Sequence, residues 1–367
     1  MRFYDIADRL HTFCVRARLP YRAAVCSLSV CLLFLSFAIR AADIFSPESL
    51  ERLALSALIS RFPDGGPDPI SGLSGIEKPQ DNLLYDGEIF YIDAPKEEEK
   101  IPESDGSLPI CRLDLSDGAL KLRNTETSFT PDLHALLEAP YPEISASDGP
   151  VVLILHTHGT ESYSQNGESY RADTPFRTQD SSQNVVAVGR VLADELNLRG
   201  IETLHCEIMH DAEDYNSSYA LARRSIEDYL EKYPSIRYII DLHRDAIIRS
   251  DQSMVAPAID TPDGRAAQVM LVVGTDAYGA DHPDWQDNLN IACKLQSRLN
   301  AEFPLARPIN LRGASFNEQF RAGSMLLEVG SCGNTLEEAK TAIRLFAAAF
   351  ADMLAEFDPA AFGCVLV

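Results

Sequence analysis

The sequence has no CxxC pair and no ribbon-like cysteine spacing, which excludes a zinc site built from cysteine. Its eight cysteines fall into two groups: Cys14, Cys26 and Cys31 near the start, and Cys111, Cys206, Cys293, Cys332 and Cys364 beyond. Five is odd, so the second group cannot pair completely within the chain, and it reads as small buried apolar residues. Positive charge is scarce. Lysine and arginine total 32 against 55 acidic residues, a net charge of -23. That excludes nucleic acid as a partner, because phosphate binding needs a basic footprint. An acidic surface needs no explanation beyond solubility. No internal repeat is present.

A long apolar run occurs near the N-terminus, where Ala23 to Ile39 is interrupted only by serine and closed by Arg40. Arg2, Arg9, Arg16, Arg18 and Arg22 precede it. Ala41-Ala42 would suit a cleavage site, making a removed signal the rival reading, but the long basic lead favours an uncleaved anchor. The arginine excess keeps the leading side in the cytoplasm. The sequence therefore predicts a cytoplasmic basic segment over 1–22, a membrane anchor over 23–41, and everything later outside the membrane.

Residues 42–109 read as a flexible acidic linker. A helix over Ser46 to Arg61 gives way to Pro63-Asp64-Gly65-Gly66-Pro67-Asp68-Pro69, and proline, glycine and acidic residues dominate thereafter. Residues 110–148 form a lead-in with a short strand from Ile110 and a short helix from Thr130, its expected cap, to Leu137. A catalytic domain is expected over 149–358, followed by a tail over 359–367.

Within that domain, buried strands alternate with helices. Val151 to Leu155 is a run of five apolar residues. Ser182 to Leu198 is a helix stopped by Gly200, Ile201 to Cys206 a strand, and Asn216 to Tyr233 a helix. Ile236 to His243 and Ala267 to Gly274 are strands, Trp285 to Leu299 a helix, Ile309 to Arg312 and Ser324 to Val329 strands, and Thr335 to Phe357 the last helix. This alternation predicts an α/β fold: a mostly parallel sheet covered by helices on both faces.

Three of those strands run into His158, His243 and Glu328. Parallel strands bring their carboxyl ends to one edge, where ligand sites of open α/β sheets gather. Two neutral imidazoles are typical zinc ligands, and a catalytic zinc takes three protein ligands. Glu161, three residues beyond His158, is the expected third ligand, with Asp180 the alternative. Glu328 is the expected general base, since a carboxylate at a rigid strand end can take and return a proton. His156 alternates with His158 and should face away. His210 with Asp211 is expected to line the cleft. His11, His134, His205 and His282 belong to no constellation.

These residues also carry a resemblance. The stretches HTHGTESY (156–163), NVVAVG (184–189), HD (210–211) with YNSSY (215–219), DLHRDA (241–246), VVGTD (272–276) and LLEVGSCGNTLEEA (326–339) resemble the stage II sporulation protein P family. The resemblance implies the fold of zinc-dependent N-acetylmuramoyl-L-alanine amidases, a membrane-anchored layout, and hydrolysis of peptidoglycan during sporulation and engulfment. It implies cleavage between muramic acid and the first L-alanine of the stem peptide, and endopeptidase activity besides. It further implies partnership with a lytic transglycosylase and a membrane protein of the engulfment machinery. Arg244 and Asn334, which lie in these stretches, are the expected substrate contacts. The wider amidase group has a Glu near the start of its first helix as a ligand; residues 179–184 here contain none. Gly159 stands where the family is expected to have a polar residue, and Phe316-Asn317-Glu318-Gln319 where it has a Tyr-Asn-Gln run. A non-catalytic wall-binding scaffold is the alternative function.

Overall fold

The computed structural model describes residues 89–92, 107–144, 148–171 and 176–362. The expected basic segment, anchor, helix over 46–61 and most of the expected linker and tail lie outside these residues. In chain order the elements are β1 (Ile89–Ile92), β2 (Ser107–Leu113), β3 (Leu122–Asn124), α1 (Leu133–Glu138), β4 (Val152–Leu155), β5 (Ser169–Arg171), α2 (Val185–Leu198), β6 (Thr203–His205), α3 (Ser218–Lys232), β7 (Tyr238–Arg249), β8 (Met254–Thr261), β9 (Gly264–Ala267), β10 (Val269–Gly274), α4 (Trp285–Leu299), β11 (Ile309–Arg312), β12 (Gly323–Ser331) and α5 (Leu336–Phe357). Among the described residues no helix is long and apolar enough to cross a membrane.

The central sheet runs β6-β4-β7-β12-β10-β11-β3. Strands β6, β4, β7 and β12 are parallel, whereas β10 is antiparallel to β12 and parallel to β11. The expectation of a mostly parallel sheet holds: five of its six strand pairings are parallel and only β12–β10 is antiparallel. That one antiparallel pairing leaves β10, β11 and β3 running opposite to β6, β4, β7 and β12, and the β8–β9 hairpin lies between β7 and β10 in the chain. Both strands of that hairpin were absent from the sequence reading. The half that matters for chemistry, β4-β7-β12, is parallel as expected, so its carboxyl ends meet at one edge.

Both faces of this sheet are buried, which is why its strands are continuous apolar runs. Val152 and Ile154 pack with α2, α4 and α5 through Val188, Leu192, Leu289, Phe346 and Phe350. Leu153 and Leu155, on the opposite face, pack with Ala222 and Ile226 of α3. The helices carry local stop and start signals. Asn184 caps α2 by accepting from the Val186 N–H, and Thr335 with Glu338 forms a capping box on α5. At α1 the cap is Asp132 rather than Thr130.

The domain starts earlier than the expected boundary at 149. β1 lies inside the expected linker and pairs with the far end of β7, from Ala246 to Arg249. β2 pairs with β8, and β3 closes the central sheet beside β11. Phe129 packs against Trp285, and the Tyr141 hydroxyl meets that of Tyr238. The lead-in 110–148 is thus part of the fold. All described residues fall in one compact unit spanning Asn82–Val367. The four cysteines described here, Cys111, Cys206, Cys293 and Cys332, are free, and the last three are buried.

Candidate active site

The pleat sorts the residues that follow β4. His156 continues the face of Val152 and Ile154 and turns onto α2. Its Nδ1 donates to the Leu242 carbonyl at 2.9 Å, and its Nε2 lies 2.8 Å from Nε2 of His205. A Cβ at Gly189 would come within 2.7 Å of this imidazole, so α2 needs glycine there. Burial lowers His156 to about 3 and His205 to about 4, so both rings are neutral. His156 faces away as expected, while His205, expected to belong to no constellation, is its half-buried partner.

The chain then turns sharply, and two carboxylates pin the turn. Asp241 accepts from the Thr157 N–H at 2.8 Å and its hydroxyl at 2.6 Å. Asp211 accepts from the Thr160 N–H at 3.0 Å and its hydroxyl at 2.5 Å. Between them Gly159 sits against the Met209 backbone, where a Cβ would lie 2.8 Å from the Met209 Cα. That contact explains why no larger residue occupies position 159. His158, 1% exposed, lies between these anchors. The Tyr215 ring stacks on it at 4.3 Å and 7°, and the His243 ring meets it edge-on at 5.3 Å. Neither ring nitrogen of His158 has a hydrogen-bond partner. Burial first, and then His243, lower it to about 3, which leaves the imidazole in its neutral, metal-binding form.

β7 does not stop at His243 as expected but runs on to Arg249, and His243 lies just past the point where its neighbour β4 ends. The His243 Nδ1 lies 3.6 Å from Glu161 Oε2, and its Nε2 lies 3.1 Å from Asp241 Oδ1 but outside hydrogen-bond geometry. Burial alone would depress this imidazole, yet Asp241 and then Glu161 carry it well above the ordinary histidine value. Glu161, 2% exposed, accepts from the Arg244 N–H at 2.9 Å and lies 3.5 Å from the Arg177 guanidinium. Burial would raise its carboxyl, but the Arg244 guanidinium first and His243 next hold it well below the usual carboxylate range.

Glu328 stands directly opposite His243 in the β7–β12 ladder. A bulge follows at once, placing Ser331 rather than Val329 or Gly330 against Asp245, with Gly330 at φ +67°. Glu328 as a residue is half-buried, while its Oε2 is out of contact with solvent and has no partner. Burial, and then the neighbouring Asp245, push its carboxyl up to about 8.

The donors fit a metal ion in kind: the imidazole of His158 with both nitrogens unbonded, and that of His243 between the carboxylates of Asp241 and Glu161, which a bound cation would relieve. Among the described residues, however, no three of His, Cys, Asp and Glu stand as a ready-made ligand set. Glu161 is turned toward its arginine partners as much as toward His243.

Three of the expected residues are engaged elsewhere. The Arg244 guanidinium, expected at the substrate, donates to the carbonyls of Ser162 at 2.9 Å and Phe176 at 2.6 Å. Asn334 is fully buried; it accepts from the Ser331 N–H at 2.9 Å and donates to the Pro257 carbonyl at 3.1 Å and Glu338 at 3.0 Å. Asp180 is exposed, and its carboxylate accepts from Ser182 and Gln183 rather than facing His158 and His243. His210 is a buried strut between the His156 carbonyl and Ser225, whereas its neighbour Asp211 does face the site, 3.9 Å from His158 Nδ1.

Asp241, Arg177 and Tyr215 join the site without a sequence-based expectation. Asp241 is two residues before His243 on the same face of β7, so strand alternation was a signal for it. Nothing in the sequence pointed to Arg177.

Residues 96–351 match the family described as Stage II sporulation protein P (SpoIIP). The stage II sporulation protein P of Bacillus subtilis (strain 168) is 28% identical over 227 residues, covering 58% of this chain and 53% of that protein. The chain thus matches about half the length of that relative. Among solved structures, the CwlD amidase of Clostridioides difficile in complex with the GerS lipoprotein is similar at 14% identity, over 56% of this chain and 98% of that one, with a TM-score of 0.34. The apo N-acetylmuramyl-L-alanine amidase Ami1 of Mycobacterium abscessus is similar at 11% identity, over 56% and 99%, with a TM-score of 0.32.

Proposed function

The chain belongs to the stage II sporulation protein P family, and from that premise we propose that it is a sporulation cell-wall hydrolase, a zinc-dependent N-acetylmuramoyl-L-alanine amidase acting on peptidoglycan. The observation that carries this reading is the set of buried polar atoms without a hydrogen bond at one sheet edge: both nitrogens of His158 and Oε2 of Glu328, beside His243, whose Nε2 is held only by an ion pair with Asp241. Buried polar atoms are normally hydrogen-bonded, and such a group of exceptions is the signature of a site that awaits a ligand. His158 and His243 would hold the zinc with Glu161, and the ion when bound would polarise the scissile carbonyl and lower the pKa of water.

The protein's own contribution centres on Glu328. It takes a proton from the attacking water as oxygen bonds to the amide carbon, and it returns that proton to the nitrogen as the C–N bond breaks. A carboxyl held near neutral pH by burial suits both transfers. Asp241 and Asp211 fix the turn that presents His158, and the Arg244 N–H fixes Glu161.

We extend the reading to context. Stem peptides of the wall are the substrate, with endopeptidase cleavage as a second activity. A lytic transglycosylase and a membrane protein are the partners, and the N-terminal apolar run holds the domain outside the cell membrane.

Purified peptidoglycan digested by the full-length chain, with and without zinc, tests the chemistry by mass spectrometry. New L-alanine amino termini should appear only with zinc, and Glu328→Gln should abolish them while wall binding persists. Release by the metal-free protein would sink the zinc reading. Binding without any release, even with zinc, would favour the scaffold instead.

A further inference from the structure

Arg177 reaches more of the site than any residue the sequence pointed to. Its Nη1 donates to Asp211 Oδ2 at 2.5 Å and lies 3.2 Å from the Thr160 hydroxyl. Its Nη2 lies 3.5 Å from Glu161 Oε1. The guanidinium also covers the Tyr215 ring at 4.8 Å, and Tyr215 is the ring stacked on His158. The backbone around it is tied to the same turn. The Ser162 N–H donates to the Phe176 carbonyl at 3.1 Å, and the Thr178 N–H to the Thr160 carbonyl at 2.7 Å. Arg177 itself pairs across a bridge with Glu161.

Each contact has a distinct consequence. Asp211 holds the Thr160 end of the turn, so Arg177 stiffens the carboxylate that fixes His158 in place. Tyr215, clamped between a cation and an imidazole, sets the plane of the His158 ring, which has no hydrogen bond to set it otherwise. Glu161 is oriented directly. A planar fork with several fixed donors can satisfy all three demands at once, and an ammonium cannot.

We propose that Arg177 is a positioning residue that orients His158 and Glu161 together, acting through Asp211 and Tyr215 on the first and by contact on the second. The proposal rests on the reading of these two residues as metal ligands. It makes its own claim about the metal-free protein: the stacked orientation of His158 depends on Arg177.

The test uses the full-length chain with Arg177→Ala and Arg177→Lys, each checked for native folding by circular dichroism. In histidine-labelled, metal-free protein, the His158 ring protons should show an upfield ring-current shift from Tyr215, identified by its loss in His158→Asn. Arg177→Ala should abolish that shift and Arg177→Lys restore only part of it. Zinc affinity, measured by chelator competition, should fall by about 10–100-fold in Arg177→Ala, the usual effect of losing a group that orients ligands. An unchanged ring-current shift in both variants overturns the proposal. Should Arg177→Ala not fold, Arg177→Lys decides, and a wild-type shift in it counts against the proposal. A wild-type chain that binds no zinc would instead overturn the ligand reading, while the ring-current result still decides what Arg177 does.

Discussion

At the scale of single residues, the polar groups of this site divide by whether their hydrogen bonds are complete. Asn334 and Arg244 spend their side chains on bonds within the protein. His158, His243 and Glu328 each keep at least one atom without a hydrogen bond. The distinction makes a prediction. Asn334→Ala strands the Ser331 N–H and the Pro257 carbonyl in the interior and should cost about 2 kcal/mol of stability. Urea denaturation should register that loss while KM for wall fragments stays unchanged. A raised KM at unaltered stability would place Asn334 among the substrate contacts. These roles were invisible in the sequence because Asn334 and Arg244 sit in the same motifs as the candidate ligands, and a motif does not say which of its polar residues are already satisfied.

At the scale of elements, the long apolar strands and amphipathic helices were legible. Trp285–Leu299 and Ile309–Arg312 occupy the expected spans, and α2 ends before Gly200. What escaped was the β8–β9 hairpin, whose residues alternate weakly, and the membership of β2, β3 and α1 in the domain. Strands of three to seven residues carry little periodicity of their own, and their pairing with β8 and β11 is a long-range event. Their removal should therefore be costly. A chain beginning at residue 149 exposes the edges of β8 and β11 and the faces covered by Phe129 and Tyr141. It should lose the near-ultraviolet circular dichroism and cooperative urea transition that a chain beginning at Asn82 retains. Cooperative unfolding of the shorter chain would show the lead-in to be dispensable.

At the scale of the whole molecule, the proposed arrangement is a wall-facing domain held to a membrane by residues 23–41. The described residues offer no membrane-spanning helix, so the anchor rests on the apolar run and its arginine lead alone. Carbonate-washed membranes should retain the full-length chain, and protease added to intact cells should digest the portion beyond residue 42. Recovery in the wash, or protection from protease, would reverse that arrangement. The strong net negative charge fits this layout no better and no worse than any other soluble surface.

The sequence by itself determined that this is an α/β protein with candidate polar residues where its apolar runs stop, because burial on both faces writes itself as apolar runs; that β7 and β12 continue past those points was left to the structure. It named His158, His243, Glu161 and Glu328, and alternation alone turned His156 away. Only the tertiary structure decided that β10 reverses the sheet, that His205 completes the His156 pair, and that Asp211, Tyr215 and Arg177 surround His158. Those relations join residues dozens of positions apart. They depend on strand order, register and the path of a turn, none of which leaves a periodic mark on the chain.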